Sequence, residues 1–267
     1  MSMQHKHKFA TIILAAGQGT RMRSNLPKVM HSLAGQTLIS HVLARAKSLQ
    51  PEKTILVLAP HMESVQKEAT AKNAACQFAI QDKQQGTGHA VKCALPQLDG
   101  YSGMVLVVYG DTPLITTETL DALLARHTSE KATISLLGMQ PIPPTGYGRL
   151  VMSQLPYVER IVECKDATPE QKNIPWVWAG AIAFDAAFLR ESLQNLQPSP
   201  ATKEYYLTSL IEMATYFPQT TDQFENIYGI GQQKLETHAP IFQKEIAAYC
   251  NQHNIEPIIK IKKMKKK

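Results

Sequence analysis

Apolar positions along this chain come in two spacings. Predominantly apolar runs at Phe9 to Leu14, 53–59, Cys76 to Ile80 and Met104 to Tyr109 read as strands, the first two as buried ones and the last as the most apolar. Between them the apolar positions fall at helical spacing: residues 37–49 carry Leu38, Ile39, Val42, Leu43 and Ala46 on one stripe, and further helices are expected over 62–71, 90–95 and 118–127. Strands are expected again over 132–137 and 158–163, and a last helix over 232–253, interrupted at Pro240. Strand alternating with helix predicts an α/β fold, a mixed, mostly parallel sheet with helices on both faces. In such a sheet ligands gather outside the carboxyl ends of the strands, so the residues after each strand are the ones to read.

After the first strand comes LAAGQGTRMRSNLPK, Leu14 to Lys28. Leu14, Ala15 and Ala16 lead into Gly17 and Gly19, which leave room for a polyphosphate against backbone N–H groups, and Arg21, Arg23 and Lys28 set cations around the same loop. Glycines after a strand are also ordinary turn chemistry. The spacing excludes two commoner motifs: Met22 stands where the dinucleotide fingerprint needs a third small residue, and the Gly-Lys-Ser/Thr of a Walker loop is absent. After the third strand Gln81 precedes Gln85-Gly86-Thr87-Gly88-His89, readable as a ligand loop or as a helix capped at Thr87. The fourth strand delivers Gly110-Asp111. A carboxylate there suits Mg²⁺ held against phosphate oxygens, because Mg²⁺ takes one or two carboxylates plus phosphates and waters; an Asx-turn aspartate before Pro113 is the alternative.

Length and charge narrow the function classes. At 267 residues one catalytic domain is expected, and 44% hydrophobic with 19% charged residues is ordinary globular composition. The net charge of +6 suggests nucleic acid until its location is considered: Lys260, Lys262, Lys263, Lys265, Lys266 and Lys267 supply all of it, leaving the rest formally neutral. No nucleic-acid partner is therefore expected, and the basic tail, 260–267, is expected to be solvated. Cys76, Cys93, Cys164 and Cys250 form no CxxC pair, so reduced thiols and a cytoplasmic location are expected. Neither a signal-peptide core nor an eighteen-residue apolar segment occurs, so no membrane partner is expected.

The run LAAGxGTRM…LPKV, with His31 to Gly35 following as HSLAG, resembles the uridyltransferase domain of the bacterial bifunctional N-acetylglucosamine-1-phosphate uridyltransferase/glucosamine-1-phosphate acetyltransferase. The similarity continues through QxxxxGTGHA from Gln81, YGDxPLI from Tyr109, TGYGR from Thr145 and IVExKDAT from Ile161, and covers about residues 8 to 235. It implies a Rossmann-like nucleotidyltransferase fold, with a nucleotidyltransferase domain over 1–235 and a terminal helical segment over 236–259. It implies UTP and a sugar 1-phosphate as substrates, with direct in-line attack on the α-phosphorus. Arg21 and Lys28 would neutralise the triphosphate, Gln81 and Gly86 read the uracil edge, and Thr87 lie near ribose and phosphates. Tyr109, the Gly148 N–H and Glu163 would face the sugar, and Asp111 would hold Mg²⁺. No repeated hexapeptide follows, so no acetyltransferase β-helix is expected. That helix builds the trimer in the bifunctional relatives, which leaves oligomeric state unassigned.

Two departures bear on function. Fifteen residues after Glu163 the family has an Asn that contacts the sugar, where this chain has Trp178. An indole can stack on a pyranose face, but its only polar group is a donor. The second metal-ligating Asn of the family is matched by Gly231, which has no side chain, so that Gln232 or a water is left to fill the position. A different sugar, or nucleotide binding with weak catalysis, are the corresponding alternatives to UDP-N-acetylglucosamine synthesis.

Overall fold

A computed structural model describes residues 8–17, 19, 22–144, 146–154, 157–199 and 202–216. Arg21, Thr145, Gly231, Gln232, the expected boundary at 235, the terminal helical segment and the lysine tail lie outside those residues. Strand β1 (Phe9–Leu14) leads into the glycine loop, and a two-stranded ribbon of β2 (Ser32–Leu33) and β3 (Gln36–Thr37) follows it. Then come α1 (Leu38–Ser48), β4 (Lys53–Leu58), α2 (Glu63–Lys72), β5 (Cys76–Ile80), α3 (Thr87–Ala94), β6 (Met104–Tyr109) and α4 (Thr117–Ser129). The remaining elements are β7 (Ile134–Met139), β8 (Arg149–Gln154), β9 (Tyr157–Val162), α5 (Pro169–Lys172), β10 (Val177–Asp185), α6 (Ala186–Asn195) and α7 (Leu210–Tyr216).

The main sheet runs β5-β4-β1-β6-β10-β8-β9, with β7 paired to β10. It is mixed: β5, β4, β1 and β6 are parallel neighbours, and the pairings of β10 with β6, β7 and β8 and of β8 with β9 are antiparallel. Helices α1, α2 and α4 pack together on one face, and α3 and α6 meet on the other. Every residue of β1 is buried, as expected of a central parallel strand roofed on both sides. Helix starts are locally specified. The Thr37 hydroxyl accepts from Ser40 N–H to open α1, and the Asp185 carboxylate accepts from the N–H groups of Ala187 and Phe188 to open α6.

The expected strands at Cys76 to Ile80 and Met104 to Tyr109 match the structure in their bounds. The third helix begins at Thr87 rather than at residue 90, because Gly86 is its N-cap and the Ala90 N–H already donates to the Gly86 carbonyl. The alternative reading of Thr87 as a cap is therefore corrected: its hydroxyl accepts from Leu207 N–H, across the fold. Strand β10 and helix α6 were not anticipated from periodicity. The register of β10 shifts between Trp178 and Ile182, where Gly180 takes φ +87°.

Candidate active site

The carboxyl ends of β1, β6 and β5 lie at one edge of the sheet. Leu14 stands level with Tyr109 and with Val57, the Ala15 N–H donates to the Val57 carbonyl at 2.9 Å, and the Gly110 N–H donates to the Leu14 carbonyl at 2.9 Å. Those bonds hold the entrance of the glycine loop flat against the sheet, with Leu14, Ala15 and Ala16 buried and Gly17 exposed. A Cβ added at Gly17 would meet nothing within 4 Å, so there is open space over the loop. Gly19 is the opposite case: at φ +64° its added Cβ would lie 2.5 Å from Lys28 Cβ, so only glycine lets the chain return beneath that lysine.

Lys28, on the short 3₁₀ turn Lys28–Met30, forms an ion pair with Asp111 just past the end of β6. Both side chains keep access to solvent, at 40% and 23% exposure. The Gln84 side chain donates to the Ala16 carbonyl at 2.6 Å, tying the loop after β5 to the glycine loop. Gln81 is buried behind it; its backbone N–H continues the β4 pairing by donating to Leu58, and its amide nitrogen donates to the Gly86 carbonyl at 3.0 Å. Residues 85–88 are clamped by the segment before the last described helix, since Tyr205 N–H donates to the Gln85 carbonyl and Gly88 N–H to the Tyr205 carbonyl, both at 2.7 Å.

A second cluster adjoins this edge. The Tyr109 ring meets Trp178 edge to face, with centroids 5.4 Å apart, and its hydroxyl is hydrogen-bonded with Thr87. Burial pushes the Tyr109 phenol far up, and the neighbouring Glu163 and Asp111 carboxylates push the same way, so it stays a neutral hydroxyl. The Trp178 backbone N–H donates to the Gly148 carbonyl at 3.0 Å, while its indole Nε1 is buried without a partner among the described residues. Gly148 packs beside Glu163: a Cβ there would sit 2.8 Å from Ile161 and 3.6 Å from Glu163 Oε2. Tyr109, Gly148, Glu163 and Trp178, expected at the sugar, are thus brought together beside Asp111 and Thr87. The Gly180 bulge makes this possible, because it seats the strand against Thr112 and Tyr109, each 3.4 Å from where a Cβ would be.

Burial raises the Glu163 carboxyl above its ordinary pKa of 4.5, the Thr208 hydroxyl that donates to it at 3.2 Å pulls it back, and the Asp166 and Glu204 carboxylates push it further up. The folded protein therefore holds this proton more tightly than the unfolded chain. The stabilising contribution is complete below pH 4.5 and is lost as pH rises through the raised value. Glu163→Gln, which keeps an acceptor for Thr208, is expected to flatten that part of the melting temperature against pH profile. An unchanged slope in the variant would show the carboxyl to be solvated.

Several site residues were not legible in the sequence. Gln84 lies within the QxxxxGTGHA run and Thr208 within a stretch, Lys203 to Thr208, that resembles the family's GEYYITD, but neither resemblance gives the residue a role, and the partner of Thr208 lies 45 residues away. Arg149, at the end of the glycine-rich turn, is not in the site. It is buried and donates to the Tyr147 and Lys172 carbonyls, holding the turn to α5. Among the described residues no helix is long and apolar enough to cross a membrane, and no group of three or more His, Cys, Asp or Glu gathers as a metal site.

Comparison with known proteins gives this arrangement its context. Residues 11–167 match the MobA-like NTP transferase domain, and residues 208–246 match the HRDC domain. Of the latter stretch the structure describes 208–216, where α7 packs against β9 and α6. The chain is 43% identical over 209 residues to the bifunctional protein GlmU of Corynebacterium efficiens, covering 77% of this chain and 43% of the relative. It is 47% identical over 205 residues to that of Paracoccus denitrificans, covering 77% and 45%. The chain thus spans under half the length of these relatives. Among solved structures, a UDP-glucose pyrophosphorylase complexed with UDP-glucose superposes with a TM-score of 0.62 at 16% identity, over 92% of this chain and 99% of the other. The inositol-1-phosphate CTP transferase from T. maritima gives 0.59 at 15%, over 78% and 81%. At those identities the likeness is one of fold.

Proposed function

Because this chain belongs to the MobA-like NTP transferase domain family, we propose that it joins UTP to N-acetylglucosamine 1-phosphate, giving UDP-N-acetylglucosamine and pyrophosphate. The observation that carries this reading is the Lys28–Asp111 pair, set between the open glycine loop and the Tyr109, Glu163 and Trp178 cluster. Nucleotidyl transfer needs positioning and charge neutralisation more than a protein nucleophile. The glycine-loop backbone would receive the triphosphate, Lys28 would swing to its oxygens, and Arg21 would add a second cation. Gln81 and Gly86 would hold the base, with Thr87 near the ribose. Glu163 would accept from sugar hydroxyls and the Gly148 N–H would donate.

The donor set fits Mg²⁺ that arrives with the nucleotide. Asp111 offers a carboxylate already facing the Lys28 ammonium, and Mg²⁺ readily completes its shell with phosphate oxygens and waters. Bound there it would neutralise phosphate charge. The remaining work falls to the chain itself: holding the sugar phosphate in line with the α-phosphorus, and excluding water by the packed 205–208 segment.

The test is pyrophosphate release from each of four nucleoside triphosphates against a panel of sugar 1-phosphates. UTP with N-acetylglucosamine 1-phosphate is expected to be the best pair. No release with any pair would sink the reading. Trp178 favours a second reading in which the transfer is kept and the sugar changes, since its buried Nε1 offers only a donor. Trp178→Asn is expected to lower KM for N-acetylglucosamine 1-phosphate several-fold by restoring an acceptor. A raised KM would show instead that the indole stacks on the sugar and that another acceptor is preferred.

A further inference from the structure

His89 stands outside the groups that the reading above uses, yet it touches the residue expected to read the base. The Gln81 amide nitrogen lies 3.0 Å from the Gly86 carbonyl and 3.2 Å from His89 Nδ1. A carbonyl oxygen only accepts, so the atom facing Gly86 is the NH₂ and the amide cannot be flipped. Its second hydrogen then points to His89 Nδ1, which must be the bare, accepting nitrogen. The imidazole proton accordingly sits on Nε2, where Cys93 Sγ is 3.9 Å away. The ring is kept in place by Tyr205, with centroids 6.3 Å apart, on the segment that clamps the loop.

We infer that His89 is a positioning residue for base selection: by accepting from the Gln81 NH₂ it locks that amide with its oxygen as the group offered to the nucleotide. The inference rests on the proposed role of Gln81 at the base. Both amide hydrogens are spent inside the protein, so what remains for a ligand is an acceptor. Uracil presents a donor at N3 and cytosine a lone pair at the same place. An acceptor held against rotation favours the first and leaves the second opposed oxygen to nitrogen, and a site built to pair with an N–H discriminates strongly against the analogue that lacks it. Without His89 one amide hydrogen is released while the Gly86 carbonyl still holds the other, so a donor as well as the acceptor becomes available and the cytosine lone pair can be met.

The experiment is equilibrium binding of UTP and of CTP to the full chain by calorimetry. Wild type is expected to prefer UTP. His89→Phe, which keeps a ring against Tyr205 but no acceptor, is expected to reduce the UTP to CTP affinity ratio about tenfold or more. His89→Asn, whose short amide can again place an acceptor towards Gln81, is expected to recover most of it. A folded His89→Phe with the wild-type ratio would overturn the inference, as would equal binding of both nucleotides by wild type. Should His89→Phe not fold, ¹⁵N spectra of the wild-type imidazole decide the matter: a neutral ring protonated on Nε2 supports it, and one protonated on Nδ1 overturns it. Binding that discriminates without any pyrophosphate release would sink the transferase reading and leave this one standing, while no binding of UTP would sink both.

Discussion

Asp111→Ala is expected to lower kcat by about 10²-fold or more, the scale of removing a main electrostatic stabiliser from a preorganised site. The carboxylate stands past Gly110, whose N–H is fixed to the Leu14 carbonyl, so its backbone is held at the ligand edge of the central parallel strands. Its present partner is Lys28, and at 40% and 23% exposure that ion pair contributes at most about 1 kcal/mol to folding. Loss of turnover should therefore come with little loss of melting temperature. Lys28→Ala is expected to behave alike, raising KM for the nucleotide as well as lowering kcat, because on the proposed reading a cation freed from Asp111 meets the triphosphate. Near-normal turnover of Asp111→Ala at saturating Mg²⁺ would remove it from the machinery. A large drop in melting temperature at unchanged kcat/KM would make the pair structural.

The second large effect is on folding. Gly86 takes φ +99°, and a Cβ on it would lie 2.6 Å from the Tyr205 carbonyl oxygen and 2.8 Å from its nitrogen. These are backbone atoms, held by the bonds from Tyr205 N–H to Gln85 and from Gly88 N–H to Tyr205, so they cannot turn aside as a side-chain tip would. Gly86→Ala is expected to destabilise by about 2–4 kcal/mol, from strain at a left-handed position plus displacement of the clamp. Denaturant midpoints measure it. The same displacement would pull Thr208 from Glu163 and Leu207 from Thr87, so the proposed base and sugar sites should weaken together. A change below about 0.5 kcal/mol, the range of an ordinary surface substitution, would show that the 205–208 segment yields easily.

Much of the parallel half is readable along the chain for a simple reason. A parallel strand roofed on both sides is apolar at nearly every position, Thr11 being the one polar residue of Phe9–Leu14, so Phe9–Leu14 and Met104–Tyr109 announce themselves without alternation, and the residues that follow them are at the ligand edge by topology alone. The glycine loop and Asp111 were found that way. The antiparallel half is different. Its central strand, Val177–Asp185, is apolar through Phe184 like the parallel strands, but its antiparallel pairing with three neighbours and its kink at Gly180 are set by contacts distant along the chain.

What the sequence by itself determined is the family, the order of strands and helices through the parallel half, and the set of residues that the strand ends would offer. Only the tertiary structure decided how those residues are employed. Thr87 serves Leu207 and Tyr109 rather than capping its own helix, Trp178 turns its ring edge-on to Tyr109, Glu163 takes a proton-raising burial beside Thr208, and Gln81 spends its NH₂ on Gly86 and His89. Each of these depends on a partner brought in by pairing across the sheet, by packing around it or by a turn of the loop. A side chain's type restricts what it can bond, but which group it meets is set by where the backbone has already gone.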